Sequence, residues 1–222
     1  MIIIFDLDGT LLNTIDDLGY ACNYALEQAG FPTHPIEAYP AMVGNGIGNL
    51  IRRALPVEAR TEETILRVRG YFVPYYDAHN CDYTRPYEGI PELLRTLKAQ
   101  GHRLAVASNK YQAATEKIVA HFFPGIFDVV LGERPDIPRK PDPQIVKDIL
   151  DTLNDKMANK SYIVHRPFVH YVGDSLVDRD TAAAAGLPFV ACSWGFVPRE
   201  KLVDAGVTRI IDKPEELLSF LP

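Results

Sequence analysis

A chain of 222 residues, 47% of them hydrophobic, can bury a sizeable core and has room for one large domain or two smaller ones. Acidic residues outnumber basic ones 29 to 23, for a net charge of -6, and Lys and Arg nowhere form the dense run that grips a nucleic-acid backbone, so no nucleic-acid partner is expected. Cys22, Cys81 and Cys192 offer no CxxC pair, and their odd number leaves one without a mate in any disulfide scheme, which fits a reducing cytoplasm.

The opening Met1-Ile2-Ile3-Ile4-Phe5 meets two aspartates at once, far short of a secretory apolar region or a membrane span, so a mature chain starting at Met1 and no membrane partner are expected. Ile2 to Phe5 instead reads as a strand covered on both faces, as in a parallel sheet. From about Ile15 to Asp82 the pattern is helical, in Leu18, Cys22, Ala25 and Leu26 and again in Leu50, Ile51 and Leu55, with no evident strand. Buried-strand runs then recur at Arg103 to Ala107, Phe127 to Leu131, Val169 to Val172 and Phe189 to Cys192, with Arg209 to Ile211 a candidate sixth. Helix-like stretches separate them: Pro91 to Gln100, Gln112 to Phe122, Pro143 to Leu153 and Thr181 to Ala185. Such alternation implies an α/β domain with a doubly wound parallel sheet, here residues 1–14 and 86–222, interrupted after the first strand by a small α-helical domain, residues 15–85. Asn13-Thr14 and Tyr83 to Gly89 are the crossings and candidate hinges. The polar segment Asn154 to Pro167 is longer than such a connection needs and carries no functional reading.

Four strand ends carry chemistry. Asp6 and Asp8 follow the first strand and precede Gly9-Thr10, placing two carboxylates at the edge where open α/β sheets bind ligands; alone, the pair is equally an Asx turn with a helix cap. Ser108 and Asn109 end the next strand and offer a hydroxyl and an amide to a phosphate oxygen, or a plain cap. Lys140, held by Pro141 ahead of a helix, is either an inward point charge or a solvated lysine. In Val172-Gly173-Asp174-Ser175-Leu176-Val177-Asp178, a strand ends in a carboxylate with a second one a helical turn later, so Asp174 and Asp178 are expected on one face. Carboxylates and a substrate phosphate are what Mg2+ takes as ligands, and Asp6 and Asp174 match that demand.

In this order, Asp6-Leu7-Asp8-Gly9-Thr10, Ser108-Asn109, Lys140-Pro141 and Gly173 to Asp178 resemble the four signatures of the haloacid dehalogenase superfamily, and the likeness runs over nearly the whole chain. The resemblance implies a Rossmann-like core, a helical cap formed by the insertion and closing over the active site, and an aspartyl-phosphate mechanism. It implies Asp6 as nucleophile, Asp8 as acid and base, and Mg2+ held by the Asp6 side chain, the Asp8 carbonyl and Asp174 with Asp178 in support. Ser108 and Lys140 would neutralise the transferring group, with Asn109 counted beside Ser108.

Dehalogenating members lack the second aspartate, which is present here as Asp8, and phosphonate-cleaving relatives need a cap lysine, whereas no lysine occurs from Met1 to Leu97. A phosphatase acting on a small phosphorylated metabolite is therefore expected. A nucleotide or pyrophosphate hydrolase, a sugar-phosphate mutase and a silent phosphate-binding module stay as alternatives. Met42-Val43-Gly44-Asn45-Gly46 with Asn49 to Leu55, and Ser193-Trp194-Gly195-Phe196, resemble segments of phosphoglycolate phosphatases. Gly44, Asn45 and Gly46 would let main-chain amides approach a small anion, with Arg52 or Arg53 adding charge, or would form an ordinary interhelical turn. Tyr71, Phe72, Tyr75 and Tyr76 are expected in the core of the helical domain. The six histidines, His34, His79, His102, His121, His165 and His170, lack metal-ligand spacing and read as core or surface residues. Oligomeric state is not encoded in any motif.

Overall fold

The computed structural model describes residues 1–155 and 168–221; the polar segment Asn154 to Pro167, apart from its first two residues, lies outside the described residues, as does His165. The chain divides into two compact units, Met1–Leu12 with Pro86–Pro222, and Asn13–Arg85.

In the larger unit, β1 (Ile2–Phe5) lies between β4 (Arg103–Tyr111) and β6 (Val169–Gly173) and is parallel to both, with Ile3 opposite Leu104 and His170. The six-stranded sheet is completed by β5 (Val129–Glu133), β7 (Phe189–Cys192) and β8 (Ile210–Ile211), in the order β5-β4-β1-β6-β7-β8. All of β1 is buried, which is why its sequence is continuously apolar rather than alternating. One face of the sheet, with Ile2, Ile4, Ala105, Ala107 and Val129, packs in a single cluster with Ile145, Val146, Ile149 and Leu153 of α6 (Gln144–Asp155) and Ala182 of α7 (Leu176–Ala185). The chain runs outward from β1 to β4 and β5 and then returns to the other side at β6. The order therefore reverses at β1, and the carboxyl ends of β4, β1 and β6 sit side by side at that switch point.

Several boundaries differ from the sequence reading. β4 runs on through Ser108 and Asn109 to Tyr111, because after an irregularity the strand re-pairs with β5 at Tyr111 and Glu133. β5 begins two residues later than expected: Phe127 packs edge-on against Phe5 and Phe123, and Asp128 turns the chain, its carboxylate accepting from the Leu104 amide at 2.8 Å. α7 starts at Leu176 rather than Thr181, because Ser175 and Asp178 form a reciprocal capping box. α4 (Ile90–Ala99) begins one residue before its proline, and α5 (Gln112–Phe122) occupies the expected residues. α8 (Arg199–Asp204) was not expected.

The smaller unit holds α1 (Ile15–Gln28), α2 (Ile47–Ala54) and α3 (Glu62–His79). Leu18, Cys22, Ala25 and Leu26 are buried, as are Leu50, Ile51 and Leu55. Asp17 is buried within α1, and its two carboxylate oxygens accept the amides of Tyr83 and Thr84 at 2.9 and 2.8 Å, fixing the outgoing chain to α1. Of the four aromatics expected inside, Phe72 and Tyr76 are buried and stacked, continuing the stripe of Ile65 and Val68. Tyr71 is exposed, and Tyr75 stacks on Tyr24 near the surface, since both fall beside that stripe. Short strands β2 (Leu12–Asn13) and β3 (Arg85–Pro86), unforeseen from the sequence, pair at the two crossings. No helix among the described residues is long and apolar enough to cross a membrane.

Candidate active site

Asp6 follows directly on β1, its amide bonded to the Val172 carbonyl of β6 at 2.9 Å, so the sheet ladder itself aims the side chain. The chain then turns tightly: the amides of Thr10, Leu11 and Leu12 converge on the Leu7 carbonyl and the Gly9 amide bonds Leu12, with Gly9 at φ 84. This turn holds Asp8 at the sheet edge. Asp6 Oδ1 accepts the Leu7 amide at 2.7 Å and lies 2.9 Å from Lys140 Nζ. Among the described residues Oδ2 accepts no hydrogen bond.

Lys140 is buried rather than solvated. Its Nζ lies 2.8 Å from Asp178 Oδ1, 2.9 Å from the Ala107 carbonyl and 3.2 Å from the Tyr171 hydroxyl, besides its contact with Asp6. Asn109 clamps its main chain from both sides: Nδ2 donates to the Lys140 carbonyl at 3.1 Å, and Oδ1 accepts the Lys140 amide at 3.0 Å. Asn109 was expected to face a phosphate oxygen, but its amide is engaged in seating the lysine. Ser108 is buried one residue earlier, and its Oγ accepts the Lys110 amide at 3.1 Å, which leaves the hydroxyl hydrogen to be donated elsewhere.

Asp174 ends β6 and is gripped on both oxygens, by Thr10 Oγ1 at 3.3 Å and by the Phe196 amide at 2.8 Å. The loop that brings Phe196 there is tied by Trp194 Nε1 to the Thr10 carbonyl at 3.0 Å. Gly195 is required sterically, because a Cβ at that position would collide with Asp174 and with the Gly9 carbonyl. Asp178 lies completely inside. Its Oδ1 takes Lys140 and the Tyr171 hydroxyl, and its Oδ2 takes the amide and hydroxyl of Ser175, so this carboxylate orients Lys140 and caps α7.

Oxygens of Asp6, Asp174 and Asp178 approach within 4.8 Å of one another, which places Asp174 and Asp178 together as the spacing suggested. Burial, then the charge of Asp178, raises the Asp6 pKa well above the ordinary carboxylate range despite Lys140, with Asp174 adding to the rise. Asp174 is pushed up to about 7 by burial and by Asp178, against the lowering effects of the Phe196 amide, Lys140 and Thr10. For Lys140, burial acts to lower the pKa but the carboxylates of Asp178 and Asp6 outweigh it, and the ammonium form is held more firmly than usual.

The sequence reading missed Lys110, whose Nζ lies 3.1 Å from Asp8 Oδ2 with both side chains largely buried. Its only sequence signal was a lysine directly after Ser108-Asn109. Among the described residues, Asp6, Asp8, Asp174 and Asp178 pair with two ammonium groups, Lys110 and Lys140, an excess of negative charge in a largely buried site. A hard divalent cation with oxygen ligands fits that excess, and Asp178, already filled with donors, fits it less well than Asp6 and Asp174.

The expected ligand turn belongs to the smaller unit. Gly44, Asn45 and Gly46 take φ of 114, 62 and 85, and their carbonyl side is tied down: Arg53 donates to the carbonyls of Met42, Val43 and Gly44, and Asn49 to that of Asn45 at 2.9 Å. Arg53 therefore builds the turn, and Arg52 pairs with Glu62.

Residues 3–192 match the family model described as haloacid dehalogenase-like hydrolase. The chain is 32% identical to the phosphoglycolate phosphatase of Cereibacter sphaeroides over 99% of its own length and 98% of that protein. It is 31% identical to the phosphoglycolate phosphatase of Haemophilus influenzae (strain 86-028NP), covering 98% and 96%. Among solved structures it is similar to a predicted phosphoglycolate phosphatase from Haemophilus somnus, with a TM-score of 0.86, 28% identity and coverage of 99% and 96%.

Proposed function

Since the chain belongs to the haloacid dehalogenase-like hydrolase family and is a phosphatase of that family, we propose that it hydrolyses the phosphomonoester of a small metabolite through a phosphorylated Asp6, with phosphoglycolate the first candidate. The observation that supports this most is the meeting of a buried carboxylate, Asp6, with a buried ammonium, Lys140, at the carboxyl end of the central strand, with a second carboxylate, Asp8, two residues on. The named relatives support the choice of substrate.

In the first step a bond forms between an Asp6 carboxylate oxygen and phosphorus while the ester P–O bond breaks, and Asp8 gives its proton to the departing oxygen. In the second step Asp8 takes a proton from water, the water oxygen bonds phosphorus, and the Asp6–phosphorus bond breaks to release inorganic phosphate and restore the carboxylate. Lys140 sets its positive charge beside Asp6, and Ser108 turns its hydroxyl hydrogen to a phosphoryl oxygen. Magnesium held by the Asp6 side chain, the Asp8 carbonyl and Asp174 would supply positive charge against the phosphoryl oxygens. Asp178 and Asn109 act on Lys140 from behind, seating its ammonium and its main chain. The helical unit is read as the cap that selects the leaving group, its Gly44-Asn45-Gly46 turn presenting amides to an anion, and three cysteines that form no disulfide agree with a cytoplasmic setting.

Phosphate release with magnesium should be measured over phosphoglycolate, sugar phosphates, nucleoside monophosphates and pyrophosphate, with Asp6→Asn as control. We expect phosphoglycolate to be preferred and the variant to be inactive. Preference for another ester replaces the substrate, and silence over the whole panel sinks the reading in favour of a binding role.

A further inference from the structure

Among the described residues, Lys110 is a buried charge at the sheet edge for which the reaction above has no use. A lysine with only 3% of its side chain exposed is uncommon and needs a partner, and here that partner is Asp8, 3.1 Å away. Its main chain is anchored from three directions. The Lys110 amide donates to Ser108 Oγ at 3.1 Å, its carbonyl accepts from Thr115 Oγ1 at 3.0 Å, and β5 packs so closely that a Cβ on Gly132 would meet the same carbonyl at 2.5 Å. The ammonium is therefore presented from a rigid base, while Asp8 itself hangs from a turn.

We propose that Lys110 is the positioning residue of the acid/base carboxylate: by donating to Oδ2 of Asp8 it holds the group in one orientation and leaves Oδ1 as the oxygen that carries the proton. An ammonium can donate to Oδ2 both when the carboxyl group is ionised and, more weakly, when Oδ1 bears a proton, so the contact survives both halves of the cycle. Lys140 cannot substitute, because its Nζ is already surrounded by Asp6, Asp178, Tyr171 and the Ala107 carbonyl. The two lysines thus divide the work, Lys140 serving the nucleophile and Lys110 the proton carrier.

The proposal rests on the phosphatase reading, and the two can fail separately. The test is kcat/KM of the full chain with magnesium for phosphate monoesters whose leaving groups range from a nitrophenol to a simple alcohol. This ratio covers the steps up to loss of the leaving group, where a good leaving group needs no proton and an alkoxide does. Lys110→Met should lower kcat/KM for the alkyl ester by about 10- to 100-fold, within the usual contribution of a general acid, and for the nitrophenyl ester by less than about threefold. In an Asp8→Asn background the same substitution should cost nothing further for either ester. Lys110→Arg, which keeps the charge but changes its reach, should give an intermediate, still leaving-group-selective loss and serves if Lys110→Met does not fold. Equal losses on both esters, or a further loss in the Asp8→Asn background, would overturn the role of Lys110. Absence of turnover by the unsubstituted protein would count against the phosphatase reading and this proposal together.

Discussion

At the scale of single residues, the site is organised around charges that are too many for their surroundings. Ionised Asp6 is disfavoured in the folded protein by burial and by neighbouring Asp178, so its native pKa exceeds the unfolded 3.8. A carboxyl group shifted in that direction contributes stability at low pH and loses it as pH rises, because the native state must give up a proton it holds more tightly than the unfolded chain does. Without magnesium and near neutral pH, Asp6→Asn should therefore raise the Tm while turnover is lost, and a thermal melt in chelator beside the phosphate-release assay measures both. A lower Tm would mean that the ion pair with Lys140 outweighs the burial of the charge. Of these residues, Asp6, Asp8, Lys140 and Asp174 were legible from motif order. Lys110 was not, because a lysine beside a sheet edge is ordinarily solvated, and its burial against Asp8 is decided by tertiary structure.

Elements were readable where one periodicity governed them. The strand Ile2–Phe5 and the helix Gln112–Phe122 appear with the expected bounds, since continuous burial and a single apolar face leave plain patterns. The first turn of α7 was hidden, because Ser175 and Asp178 begin that helix through polar side chains while an apolar stripe emerges only later. Ser175 carries two duties, capping the helix and donating to Asp178, the carboxylate that seats Lys140. Ser175→Ala should cost about 1 kcal/mol as a lost cap and lower the Tm by about 2–4 °C for a chain of this size. It should also reduce kcat through Lys140, whereas a Tm shift with full activity would reduce the residue to a cap alone.

For the whole molecule, the magnesium site proposed above would link cation binding to folding through Asp174. Its native pKa of about 7 against 3.8 unfolded means that, in the metal-free protein, its share of stability is present below about pH 4 and lost as pH rises to about 7. A cation requires the ionised form, so protonation competes with it. Differential scanning fluorimetry at fixed magnesium should show a larger rise in Tm at pH 8 than at pH 6, and Asp174→Asn should abolish most of the difference. Equal shifts at the two pH values would place the cation elsewhere.

By itself the sequence determined the class of fold, the helical insertion after the first strand and the four motif segments, because these follow from local periodicity and from residues close together in the chain. Lys140 lies in a loop beyond β5, and Ser108-Asn109 within β4, rather than at strand ends. Tertiary structure decided which of those groups meet. Lys140 joins Asp6 and Asp178 from three separate segments, Asn109 is turned from a ligand donor into a clamp, and Gly195 gives way to Asp174. The physical reason is that a parallel sheet with its switch point at β1 gathers chain ends far apart in sequence onto one edge. Burial there converts ordinary polar side chains into partners whose charges must be balanced locally.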